Sequence, residues 1–96
     1  MNSAVLENDK LYITSETYSS FRGRYMDTTV VEVSDIDCIK AKVGKQGGMH
    51  TWAIKDKEDN DLYYGDRKDS DLIEQITKLM PKIKYHKKVE GGGAPW

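Results

Sequence analysis

At 96 residues the chain fits one compact domain built on one core and is too short for two. Leu, Ile, Val and Phe supply only 19 of those residues, close to the level at which chains stop folding, but the net charge of −1 excludes the highly charged, disordered class. No uninterrupted apolar run exceeds three residues, against the roughly 20 that cross a bilayer, so a membrane-spanning helix is excluded as well.

Residues 1–9 read as an N-terminal arm or a short first strand over 4–7. From Leu11 onward, β-branched and aromatic residues recur in short runs broken by polar residues or glycine, without helical periodicity. This pattern predicts strands over 10–14, 17–22, 25–33, 37–45, 49–55 and 62–66. In the fourth, Ile39, Ala41 and Val43 alternate with Cys38, Lys40 and Lys42, so one face is buried and the other wet. Arg22-Gly23-Arg24, Gln46-Gly47-Gly48 and Glu58-Asp59-Asn60-Asp61 supply turns at short intervals that suit hairpins. The expected fold is α+β: an antiparallel meander of six or seven strands, forming a bent sheet or partly open barrel, capped by one C-terminal helix.

That helix has a clear start. Asp69, Ser70 or Asp71 can cap it, and Asp71 with Glu74 has the spacing of a capping box. Leu72, Ile76, Leu79 and Ile83, flanked by Ile73 and Met80, form one apolar stripe suited to lie on a sheet. Pro81 lacks an N–H and clashes with the preceding turn, which ends the helix near Leu79 or Met80, with Lys78 favourable at its C-terminal end. Beyond Pro81 the alternation through Ile83 and Tyr85 suits either a further sheet edge or a free basic strip. Gly91-Gly92-Gly93 reads as a flexible linker ending in Ala94-Pro95-Trp96. A single domain over 10–80 is expected, followed by a basic and then glycine-rich tail over 81–96.

Leu11-Tyr12-Ile13-Thr14 opening a strand, Val30-Val31-Glu32 running through a corner at Val33-Ser34-Asp35-Ile36 into Asp37-Cys38-Ile39-Lys40-Ala41-Lys42, and a hairpin and helix after them carry a family likeness. In this order of elements the chain resembles the small bacterial pleckstrin-homology-like domains. The resemblance covers residues 10–80 and rests on residue class. It implies a bent antiparallel sheet whose open end is plugged by the helix, and 4–7 would be the strand needed to complete seven.

Little in the sequence points to catalysis. Cys38 could pair with His50 or His86, yet nothing near it argues for an activated thiolate. Two histidines and one cysteine lack the spacing of a zinc site, and the run from Asp56 to Asp61 lacks the glycine and distal glutamate of a calcium loop. Gly44-Lys45-Gln46-Gly47-Gly48 is not followed by a helix and is a turn, not a phosphate loop. The chain is expected to be no enzyme and to need no cofactor or metal. A lone cysteine, and acidic residues reached before any signal-like apolar stretch, suit the cytoplasm.

Binding features are better populated. Residues 56–77 carry a net charge of −5 and residues 78–88 a net of +5. The ordinary meaning of such blocks is solvated surface, and the sharper one is a basic docking strip. Trp52 and Ile54 are expected in the core. Tyr63 and Tyr64, adjacent on a strand, must point to opposite faces, leaving one to anchor a partner. Lys82, Lys84, Tyr85, His86, Lys87 and Lys88 mix positive charge with ring surface, and Trp96 could be captured by a partner's pocket. The same strip suits single-stranded nucleic acid or anionic lipid less well: lysines without arginine read bases poorly, and the acidic block repels phosphate. Self-association of acidic block on basic strip is a third option. The expectation is a non-catalytic protein-binding module, an adaptor or a phage- or element-encoded regulator, acting by surface occupancy through Tyr63, Tyr64, the basic strip and Trp96.

Overall fold

Strand β1 (Ser3–Glu7) folds back on β2 (Lys10–Ser19) through Asn8 and Asp9, whose φ angles of 53° and 62° are both left-handed. A two-residue turn of this kind matches the twist of the flanking strands, and Asn and Asp tolerate it better than bulkier residues. The structure, a computed structural model, describes residues 2–44 and 48–89. It contains one short helix and seven strands among those residues, in two sheets. The first has the order β1-β2-β3, with β3 (Gly23–Glu32) antiparallel to β2.

The second sheet is built from β4 (Cys38–Val43), β5 (Met49–Lys55), β6 (Asp61–Asp66) and β7 (Lys84–Val89), in the order β6-β5-β4-β7. Within it β4, β5 and β6 form an antiparallel meander, whereas β7 joins β4 in parallel. The expectation of a single six- or seven-stranded meander is therefore corrected: the chain makes two sheets, no closed barrel, and a strand after the helix. Two expected strands at 10–14 and 17–22 are one, because Ser15 and Glu16 contain no breaker and stay in register with Asp27 and Met26. The alternative of a sheet edge after Pro81 is the one realised. Val33–Asp35 forms a 3-10 turn at the corner expected there. The expected turn at Gln46-Gly47 lies outside the described residues.

Helix α1 (Asp71–Leu79) ends where Pro81 requires. At nine residues it has no independent stability and depends on its apolar face. Leu72, Ile73 and Ile76 are buried, while Leu79 is half-exposed and Ile83 falls outside the helix. The capping box is displaced from its expected place. Asp66 and Asp69 form it on the preceding 3-10 turn, where Lys68 N–H donates to Asp66 Oδ1 at 2.9 Å, and Ser70 caps α1 without a side-chain bond.

Leu11, Ile13 and Val31 of the first sheet, Ile39, Ala41, Trp52, Ile54 and Tyr63 of the second, and the three buried helix residues form one core. Trp52 and Tyr63 pack ring to ring at 5.3 Å. Gly65, opposite Trp52 in the β5–β6 register, explains why the indole lies so close to the strand. A Cβ there would sit 2.5 Å from Cε2 and 2.8 Å from Cζ2 of Trp52 and nearer still to Nε1. A second constraint joins helix to sheet: Ala4 N–H donates to Gln75 Oε1 at 2.9 Å and Gln75 Nε2 donates to Asn2 O at 3.1 Å. The Gln75 amide thus pairs with the outer edge of β1 as another strand would.

Gly65→Ala should cost about 1–3 kcal/mol in urea unfolding, the usual penalty for overfilling a packed site. Gln75→Ala, which strands the Ala4 N–H, should cost about 1–2 kcal/mol in the same measurement.

Candidate functional site

The parallel register decides which residues share the outer face of the second sheet. Cys38, Lys40 and Lys42 of β4 stand beside Lys84, His86 and Lys88 of β7, respectively. On the other side of β4, Cys38, Lys40 and Lys42 stand beside Lys55, Ala53 and Thr51, and Ala53 in turn stands beside Tyr64. Side chains in register project to one side of a sheet. A face is thereby assembled that carries five lysines, one imidazole and one aromatic ring. Tyr64 is 60% exposed.

Charge on this face is graded from one edge to the other. Lys40 Nζ meets Asp59 Oδ1 at 2.8 Å, and Lys55 Nζ meets Asp59 at 3.9 Å and Asp61 more closely. The hydrogen bond to Asp61 raises the Lys55 pKa above its ordinary value. Asp66 adds a third carboxylate on the β6 side, in register with Thr51. Lys84 and Lys88 make no ion pair among the described residues, so the uncompensated positive charge lies along β7. Cys38, expected on the wet side, is buried, and desolvation followed by repulsion from Asp37 raises its pKa. The thiol is held neutral, the opposite of an activated nucleophile.

Asp59 is presented to these lysines by a built turn. Asp56 Oδ1 accepts the N–H groups of Glu58 and Asn60, each at 2.9 Å, while Asp59 takes a left-handed φ of 65°. The bonds from Asn60 lower the Asp56 pKa, and the bond from Lys40 lowers that of Asp59.

A second concavity, of about 670 Å³, lies between the distal half of the β2–β3 hairpin and the end of β6. Tyr63 forms part of its wall and donates its hydroxyl to Ser15 Oγ at 3.0 Å. Glu16, Asp27, Asp66 and Asp69 line it along with Arg24 and Lys68, and Arg24 is paired with Glu16 at 3.5 Å. Burial raises the Asp69 pKa. Among the described residues no group of three or more His, Cys, Asp or Glu side chains is arranged to hold a metal ion.

The residues singled out from sequence divide accordingly. Tyr64, Lys84, His86 and Lys88 come to one face. Tyr63 is buried to 9% exposure and serves the core and the cleft wall, so it is corrected from a surface anchor to a packing residue. Tyr85 and Lys87 point to the inner side, where Lys87 Nζ lies 5.5 Å from the centre of the Tyr85 ring, and Lys82 precedes the strand beside Pro81. Trp96 lies outside the described residues. Lys40, Lys42 and Lys55 were not singled out for binding, although the alternation in 37–45 already placed Lys40 and Lys42 on the wet face. Phe21, 98% exposed at the hairpin tip, was also missed, and no periodicity marks it.

The chain matches no protein-family model, no curated protein and no solved structure. No helix among the described residues is long and apolar enough to cross a membrane.

Asp56 and Asp59 have folded pKa values below the ordinary 3.8, so each binds its proton more weakly folded than unfolded. Their stabilisation is complete above that ordinary value and is lost as pH falls through the depressed ones. Amide exchange at Glu58 and Asn60 should therefore gain in opening frequency on acidification below about pH 4, after correction for intrinsic exchange rates. In Asp56→Asn this acid-dependent component at Asn60 should be much reduced.

Proposed function

We propose that the protein is a non-catalytic binding module whose working surface is the basic outer face of the four-stranded sheet, and whose partner is an acidic stretch of another protein. The observation that carries the reading is the β4–β7 register, which sets Lys84, His86 and Lys88 beside Lys40 and Lys42. An acidic polypeptide lying along β7 meets positive charge over the length of the strand, and such complementarity fixes orientation and speeds encounter.

Nucleic acid is the less well supported occupant. A strand crossing the face toward the exposed ring of Tyr64 would run into Asp59, Asp61 and Asp66. The central position between Lys40 and Tyr64 is held by Ala53, where a base-stacking platform would need an aromatic residue. The pleckstrin-homology-like likeness stays part of the proposal at the level of strands, corner and helix over residues 10–80. A small domain with one antiparallel sheet, one mixed sheet and one helix is in keeping with its use as a scaffold for surface recognition.

A fluorescein-labelled twelve-residue polyglutamate peptide should bind the intact protein in fluorescence anisotropy, and more weakly as salt is raised. Lys84→Glu with Lys88→Glu should abolish the binding while circular dichroism stays unchanged. Absence of binding at low salt, or equal binding by the double variant, would remove this face from the reading.

A further inference from the structure

Strand β7 has one edge paired with β4 and a second edge with no hydrogen bond among the described residues. The outer edge of β1 is treated differently, since the Gln75 amide occupies it. An open six-residue edge is a template for another extended chain. We infer that β7 takes up an extended peptide of alternating acidic and apolar residues as a fifth strand of the second sheet, its acidic side chains on the outer face and its apolar ones on the inner. This rests on the reading of the basic face given above and specifies how the acidic partner is held.

Two features set the alternation. On the outer side an added strand would bring every second residue beside Lys84, His86 and Lys88, which favour carboxylates. On the inner side the intervening residues would enter a groove of about 470 Å³ between α1 and β7, where Ile73, Thr77 and Tyr85 provide the apolar part and Glu74 and Lys87 the rim. Glu74 is engaged by Lys78 at 3.1 Å, so the rim does not repel an acidic peptide through an unpaired carboxylate. A second copy pairing β7 to β7 is disfavoured by the same charges, because lysines would be stacked on lysines across the new ladder. Antiparallel addition, with its straighter hydrogen bonds, is the favoured direction.

The test uses the full chain and four kinds of fluorescein-labelled probe. The first is a seven-residue peptide with Glu at odd and Ile or Val at even positions. The second has the same composition with the glutamates placed together, and the third is the alternating peptide N-methylated at every second amide, in both possible frames. The fourth is a twelve-nucleotide oligothymidylate. The alternating peptide should bind, and clustering its charges or methylating the frame that faces β7 should weaken it by about tenfold or more. Binding should protect β7 amides from hydrogen exchange, and Lys84→Ala with Lys88→Ala, both at solvent-facing positions, should weaken it comparably. If the clustered and methylated peptides bind as well as the alternating one, strand addition is overturned while the acidic-partner reading stands. If no acidic peptide binds, or the oligothymidylate binds more tightly than all of them, both are overturned.

Discussion

The parallel ladder between β4 and β7 is the interaction on which the rest of the architecture depends. Parallel neighbours cannot be joined by a hairpin, so the chain between them must cross over, and here that crossover contains β5, β6 and α1. The ladder turns β4 from an edge into an interior strand. Interior strands are covered by neighbours on both sides, which is why Cys38 is buried even though it shares a face with lysines. Its register neighbours are Lys55, whose charged end is turned to Asp61 and Asp59, and Lys84 on the edge strand. Without that ladder the residues after Pro81 would be a basic tail; with it they become the edge strand of a basic sheet face.

Local chemistry was legible in the sequence wherever it was decided within a few residues. The alternation in β4, the hairpin at Asp56 to Asp61, the end of the helix at Pro81 and the burial of Trp52 follow from period and turn residues alone. What depended on distant pairing was not legible. Nothing in Lys84-Tyr85-His86-Lys87-Lys88 states which strand it will lie beside, and the choice between sheet edge and free strip is settled by an unfilled edge on β4, whose Cys38 pairs with Lys84 from 46 residues earlier in the chain. The capping box was misplaced by one turn for a related reason. Asp66, Asp69 and Asp71 offer several acceptors in a short space, and the 3-10 turn that selects Asp66 and Asp69 exists only because β6 delivers the chain to that point. Tyr63 and Tyr64 were correctly assigned to opposite faces, but which one faced the core was fixed by the position of Trp52 across the strand pair.

Gly65 connects the core to the site. Its missing side chain lets the indole of Trp52 lie on β6, and the price is an Nε1–H that is buried with no acceptor among the described residues. A buried donor left unpaired opposes folding, so this contact is tolerated because the packing of a large ring in a core this small outweighs it. The same close approach fixes the β5–β6 register, and the register places Tyr64 on the outer face beside Ala53. An exposed ring on the surface is thus positioned by a packing constraint on the opposite side of the sheet.

The edges of the two sheets show how differently one chain can treat unpaired backbone. At β1 a neutral side chain from the helix supplies one donor and one acceptor, to Asn2 O and Ala4 N–H at the start of the strand. At β7 no such group intervenes among the described residues, and lysines flank the strand on both faces. Positive charge alone would suffice to keep identical copies from pairing there, because every copy presents the same sign. It does so selectively, however: a strand bearing carboxylates meets attraction where a second copy meets repulsion. The feature that protects the edge from its own kind is therefore also the one on which the proposed choice of an acidic partner rests.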